Sequence, residues 1–178
     1  MTKSLGVAVV GAGDMGRQHA QGWSTLGNVE LIAVVDPIRE RAMNLKREYG
    51  FEACTDDYRK AIDREDVDIV SVCTPAYYHP EITIYAAERG KHVLCEKPLA
   101  LTLKEADEMI RACRKNGVFL EVGFQRRYME RYVKLKDIIQ GGTIGRPTLY
   151  VLSSAVEIRP KRAMHDLKRG NGGPIIDT

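Results

Sequence analysis

The sequence predicts an α/β fold, a doubly wound parallel sheet with helices on both faces. Three observations carry this. Apolar runs of strand length alternate with stretches of helical periodicity along residues 1–123. The interiors of those runs are nearly continuous Val, Ile, Leu and Cys, as in strands covered on both faces. A glycine-rich turn, Gly11-Ala12-Gly13-Asp14-Met15-Gly16, joins the first run to the first helix.

The first strand is predicted at Leu5–Val10 and its helix at Asp14–Leu26. The second strand, Val29–Val35, leads to a helix at Arg39–Tyr49. A short third strand at Ala53–Cys54 precedes a helix at Asp57–Asp63. Strand four, Asp68–Cys73, is followed by a helix at Pro80–Glu88. Strand five, His92–Cys95, is followed by Leu103–Asn116. That last helix opens on a capping box, Thr102 with Glu105, and ends at Gly117. Its apolar stripe reads as Leu103, Ala106, Ile110 and Cys113, with Met109 beside it. Strand six is Val118–Val122. After Gly123 the pattern changes: a mixed-charge helix over Tyr128–Gln140, a turn over Thr143–Pro147, and a longer strand over Thr148–Ile158. About thirty residues after the turn are too few for a second core. An isolated long strand would leave an open edge. The expectation is a domain over residues 1–123 and the truncated start of a second over 124–178. The alternatives are a strand completed by another chain and a complete small domain.

The glycine turn has chemical content. A strand, G-x-G-x-x-G, a helix, a second strand and an acid, Asp36, twenty residues after Gly16 describe a dinucleotide site of the Rossmann type. Gly11 permits the tight turn, Gly13 lets the backbone approach a pyrophosphate, and Gly16 lets helix and strand pack closely. Asp14 and Met15 stand at the helix N-terminus, where unpaired amides favour phosphate. Asp36 would accept hydrogen bonds from the adenosine ribose hydroxyls and repel a 2′-phosphate, which favours NAD over NADP. Arg39 and Arg41 would neutralise a 2′-phosphate or simply form a solvated face.

A net charge of +3, without a basic block, points to no nucleic-acid partner. No apolar run is long enough to cross a bilayer, and a strand beginning at Leu5 leaves no room for a signal peptide. Cys54, Cys73, Cys95 and Cys113 lack metal-ligand spacing and read as buried free thiols in a reducing compartment, the cytoplasm. No metal site is expected.

A strand order of 3-2-1-4-5-6 places the residues after strands four, five and six around the ligand crevice. Thr74-Pro75 follows strand four and sets a hydroxyl and a rigid turn beside the pyrophosphate. His79 caps a helix or contacts the cofactor. Glu96-Lys97-Pro98 follows strand five. A lysine beside a nicotinamide would shuttle the alcohol proton, given a pKa brought down from about 10.4; Glu96 would orient the ammonium. Gln125, Arg126 and Arg127 follow strand six, where the arginines meet a polar substrate or form surface ion pairs.

Gly11–Gly16, Cys73-Thr74-Pro75 before His79, Glu96-Lys97-Pro98 and Gly123-Phe124-Gln125-Arg126-Arg127, in this order, resemble the glucose–fructose oxidoreductase / inositol dehydrogenase (Gfo/Idh/MocA) family. The resemblance covers essentially the whole chain. It implies an NAD(P)-dependent oxidoreductase of sugars, inositols or related polyols. It also implies a Rossmann domain followed by an α+β domain on a large open sheet, in a dimer or tetramer. Lys97 would then be the catalytic or substrate-orienting lysine and the Lys97–Pro98 bond often cis, turning the lysine toward the nicotinamide. Gly172-Gly173 and Asp177 match the family's glycine cluster and catalytic Asp, whose His partner would fall three residues past Thr178. The expectation is a chain that binds NAD and is catalytically incomplete. The rival is a dinucleotide-binding sensor or assembly module without catalysis.

Overall fold

The structure is a computed structural model that describes residues 4–149 and 151. The described chain divides after Gly123 into two compact units. The first holds a six-stranded sheet in which all neighbours are parallel. Its strands are β1 Leu5–Val10, β2 Val29–Val35, β3 Ala53–Thr55, β4 Ile69–Val72, β5 His92–Cys95 and β6 Leu120–Val122. The order is β3-β2-β1-β4-β5-β6, so the winding reverses between β1 and β4 as the sequence predicts. The intervening helices are α1 Asp14–Ser24, α2 Arg39–Tyr49, α3 Tyr58–Ile62, α4 His79–Glu88 and α5 Leu103–Lys115.

Both sheet faces are covered. Alternate residues of β1 point to opposite sides. Val7 and Val9 pack with Ala20 of α1 and with Ala42 and Leu45 of α2. Ala8 and Val10 join a cluster that includes Ala61 and Ile62 of α3, Ile82 and Ala86 of α4, and Met109 of α5. Each fully buried Val, Leu or Ile contributes about 1.5–3 kcal/mol, and β1 supplies residues to both clusters.

Several local predictions shift: β6 begins at Leu120 instead of Val118, and β4 runs only over Ile69–Val72. The helix after the glycine turn stops at Ser24, before the predicted Leu26. The buried stripe of α5 centres on Met109 and Cys113, while Leu103 is 86% exposed. At 100° per residue Leu103 lies about 120° around the helix from Met109, so it falls off the stripe that the two buried residues define. The capping box forms: Thr102 Oγ1 accepts the Glu105 amide at 3.2 Å and Glu105 Oε2 accepts the Thr102 amide at 3.0 Å. A 3-10 turn over Ala76–Tyr78 leads into α4 and has no counterpart in the sequence reading.

The second unit opens with a 3-10 turn, Gln125–Tyr128, followed by α6, Glu130–Gln140. The sequence predicts one helix over Tyr128–Gln140. The extended backbone of Met129, with φ −74° and ψ 128°, separates turn from helix. The predicted strand over Thr148–Ile158 lies outside the described residues apart from Thr148, Leu149 and Val151.

Candidate functional site

The parallel ladders continue one rung past the strand ends. The Gly11 amide donates to the Val35 carbonyl at 2.7 Å, and the Asp36 amide to that of Thr55 at 3.2 Å. The Cys73 amide reaches Val10 at 2.8 Å, that of Glu96 reaches Val72 at 2.9 Å, and that of Gly123 reaches Cys95 at 2.8 Å. Asp36, Gly11, Cys73, Glu96 and Gly123 therefore stand in a row across the carboxyl edge. Asp36 and Glu96 are three strand spacings, ~14 Å, apart along it.

The glycine turn has the geometry a dinucleotide needs. Gly11 has φ +101°, and a Cβ there would lie 2.7 Å from the Cys73 carbonyl oxygen. A Cβ on Gly16 would lie 1.8 Å from the Gly11 carbonyl oxygen, so only glycine lets α1 rest on the turn. A Cβ on Gly13 would meet nothing within 4 Å. Space is closed where helix and strand must touch and open where a pyrophosphate would come. Asp14, Met15 and Gly16 form the first turn of α1, whose amides have no carbonyl within the helix to bond.

Asp36 is 6% exposed. Its Oδ2 accepts the Ala12 amide at 2.9 Å and its Oδ1 accepts the Ile38 amide at 2.9 Å. The carboxylate ties the end of β2 to the glycine turn, a role the sequence reading did not assign. Two bonds leave about two lone-pair positions for a ribose diol.

A cleft of about 290 Å³ opens at this edge, lined by Gly11, Val35, Pro37, Thr74, Tyr78 and Ile82 with Asp56 and Glu81. Its apolar walls suit a planar base. Thr74 Oγ1 is buried and bonds no protein atom. An orphaned hydroxyl beside an open glycine turn fits a polar ligand there, so the residues present suit the dinucleotide that the motif implies. Pro75 starts the 3-10 turn with φ −57°.

His79 is 1% exposed. Its Nε2 lies 2.8 Å from the Thr74 carbonyl oxygen and its Nδ1 lies 2.9 Å from that of Pro98. A neutral imidazole carries one N–H, so it donates to one of these carbonyls and packs against the other, between the loops after β4 and β5. Burial lowers its pKa, opposed by the Thr74, Pro98 and Leu99 backbone and by Glu96.

Lys97 follows β5, and the Lys97–Pro98 peptide is cis. The Lys97 amide donates to Glu96 Oε2 at 3.1 Å. Glu96, 6% exposed, belongs to a polar network that the sequence reading missed. Its Oε1 lies 2.9 Å from His19 Nε2, and His19 Nδ1 lies 2.6 Å from Ser71 Oγ. The Trp23 indole donates to the same Ser71 oxygen at 3.3 Å. A signal was present: Gly16, His19, Ala20 and Trp23 share one face of α1 by 3.6-residue periodicity. What they meet, at β4 and β5, is too distant in sequence to be read.

The four cysteines are free. Burial pushes the Cys95 thiol up to about 12. Burial and then the Glu96 charge push Cys73 well above the usual thiol range. Both stay protonated at neutral pH, which argues against thiolate chemistry at these strand ends.

The first unit thus brings Gly11, Gly13, Gly16, Asp36, Thr74, Pro75, Glu96 and Lys97 to one edge, with His79 buried beneath it. Gln125 opens the 3-10 turn of the second unit. Asp177 lies outside the described residues. Among them, no helix is long and apolar enough to cross a membrane.

Residues 5–124 match a family model described as "Oxidoreductase family, NAD-binding Rossmann fold". A myo-inositol 2-dehydrogenase of Thermotoga maritima is 34% identical over 171 residues, covering 96% of this chain and 50% of that protein. The crystal structure of a Lactobacillus plantarum myo-inositol 2-dehydrogenase superposes with a TM-score of 0.77 at 35% identity, over 81% of this chain and 43% of that one. A levoglucosan dehydrogenase in complex with NADH and levoglucosan gives 0.76 at 34% identity, over 81% and 41%. The chain spans about half the length of the curated relatives it matches. With the reversing parallel sheet, the glycine turn and the Glu96-Lys97-Pro98 loop on one edge, this chain belongs to the Gfo/Idh/MocA oxidoreductase family.

Proposed function

We propose that this chain supplies the cofactor half of an NAD-dependent dehydrogenase that acts on a CH–OH group of a sugar, inositol or related polyol. The carrying observation is that the glycine turn and Lys97 end on the same sheet edge, with only β4 between their strands. A bound nicotinamide would supply the hydride acceptor for the carbinol carbon. The turn and Asp36 hold the adenosine end, and Thr74 offers its orphaned hydroxyl to the ligand. Lys97 receives the proton of the substrate hydroxyl as the carbonyl forms. Asp177 is the second catalytic candidate, on the family resemblance alone. Gln125 is proposed as a cofactor contact on the same ground.

NAD is preferred over NADP on the strength of Asp36. Four free thiols favour a reducing compartment, the cytoplasm. A homo-oligomer, dimer or tetramer, follows from the family resemblance. Relatives twice this length lead us to expect that residues 1–178 alone bind NAD with little turnover.

The test is a titration of the 178-residue chain with NAD and NADP, then a polyol and sugar screen on the full-length protein. NAD binding at least tenfold tighter supports the reading of Asp36, and tighter NADP overturns it. In the full-length enzyme Lys97→Met should lower kcat by about a hundredfold. A loss of only a few-fold rejects the proton-handling role.

A further inference from the structure

The role of Lys97 depends on where its side-chain nitrogen is held, and the structure shows what holds the backbone beneath it. The donor and acceptor sequence closes in one way with a neutral imidazole. Trp23 Nε1–H donates to Ser71 Oγ, Ser71 Oγ–H to His19 Nδ1, and His19 Nε2–H to Glu96 Oε1. The Lys97 amide donates to Glu96 Oε2. Every donor then has an acceptor. The network is enclosed, with the His19 side chain 12% and the Glu96 side chain 8% exposed. Gly123 also stands close to the carboxylate, since a Cβ there would lie 2.8 Å from Glu96 Oε1. Glu96 thus joins His19 of α1 to the Lys97 peptide, with the end of β6 close by.

We infer that His19 is a positioning residue for Lys97, acting through Glu96: it fixes the carboxylate that fixes the lysine's peptide. The inference rests on the reading of Lys97 as the group that handles the substrate proton. Displacing a reacting group by about 1 Å costs up to about a hundredfold in rate. Loss of His19 leaves the hydrogen bond from the Lys97 amide to Glu96 in place and should cost less.

The experiment is a double-mutant cycle in the full-length enzyme, with kcat and both KM values read separately. His19→Ala should lower kcat about tenfold and leave KM for NAD within about twofold. In a Lys97→Met background the same change should cost nothing further. His19→Gln, whose amide reaches the place of Nε2, should recover most of the rate. His19→Asn, which reaches only the place of Nδ1, should not. Gly123→Ala crowds the same carboxylate oxygen and should produce the same kcat loss, so it carries the test if His19→Ala does not fold. A kcat loss that persists undiminished with Lys97→Met, or that falls on KM for NAD instead, overturns the inference while leaving the reading of Lys97 intact. If Lys97→Met itself costs only a few-fold, that reading falls and the inference with it.

Discussion

The carboxylate of Asp36 accepts the backbone amide of Ala12 at 2.9 Å, from the middle of the glycine turn. The residue expected to meet the ribose is thus also what shapes the turn expected to meet the phosphates. Its other oxygen takes the Ile38 amide. Asp36→Asn offers one oxygen and one NH₂ group to two amide donors, so one buried donor is left facing another. The expected cost without any cofactor is about 1–3 kcal/mol. Urea unfolding of the 178-residue chain measures it, and an unchanged midpoint would refute the tether.

Gly13 and Gly16 differ in what surrounds them, and their alanine variants should separate binding from folding. Gly16→Ala places a methyl against the Gly11 carbonyl and forces helix and turn apart. It should cost more than about 3 kcal/mol or prevent folding. Gly13→Ala meets no protein atom within 4 Å. Its stability should change by less than about 1 kcal/mol, while NAD affinity drops at least tenfold, about 1.4 kcal/mol. Calorimetric titration with NAD and thermal unfolding together decide. Undiminished NAD binding by folded Gly13→Ala would remove the turn from the cofactor site.

Thr74 carries a buried hydroxyl without a partner in the protein. Thr74→Val keeps the shape and removes the unsatisfied group. The chain without cofactor should become more stable by up to about 1 kcal/mol. NAD should bind about tenfold more weakly, since a hydrogen bond to a charged ligand is worth about 1.5–3 kcal/mol. A variant both less stable and equally tight for NAD would show that the hydroxyl serves the fold instead.

His79 should make stability fall in mild acid. Its folded-state pKa lies below the unfolded value of about 6.5, chiefly through burial. The unfolded chain therefore takes up the proton first as pH falls. The neutral ring's contribution is fully present above about pH 6.5 and is lost below it. His79→Gln keeps a donor for one carbonyl and cannot titrate, so its unfolding midpoint should vary less than wild type between pH 7.5 and 5. Equal slopes for the two chains would contradict this.

Much of this protein is local and therefore legible in the sequence. The apolar runs set β1 to β6, because a strand covered on both faces has no solvent side to leave polar. Gly11, Gly13 and Gly16 declared a turn and three different steric demands, and Asp36 stood at the distance one βαβ unit imposes. The parallel alternation also dictated which strand ends would share an edge, so Thr74, Glu96 and Lys97 could be placed there in advance. The tertiary structure decided the pairings across that edge. It gave His19 to Glu96 across 77 positions, the Ala12 amide to Asp36, and the His79 ring a place between the loops after β4 and β5. Such bonds form only after the sheet has brought distant segments within about 3 Å, and hydrogen bonding at that range leaves no period in the chain to read. The sequence thus located the Glu96-Lys97 loop, and folding determined what holds it in place.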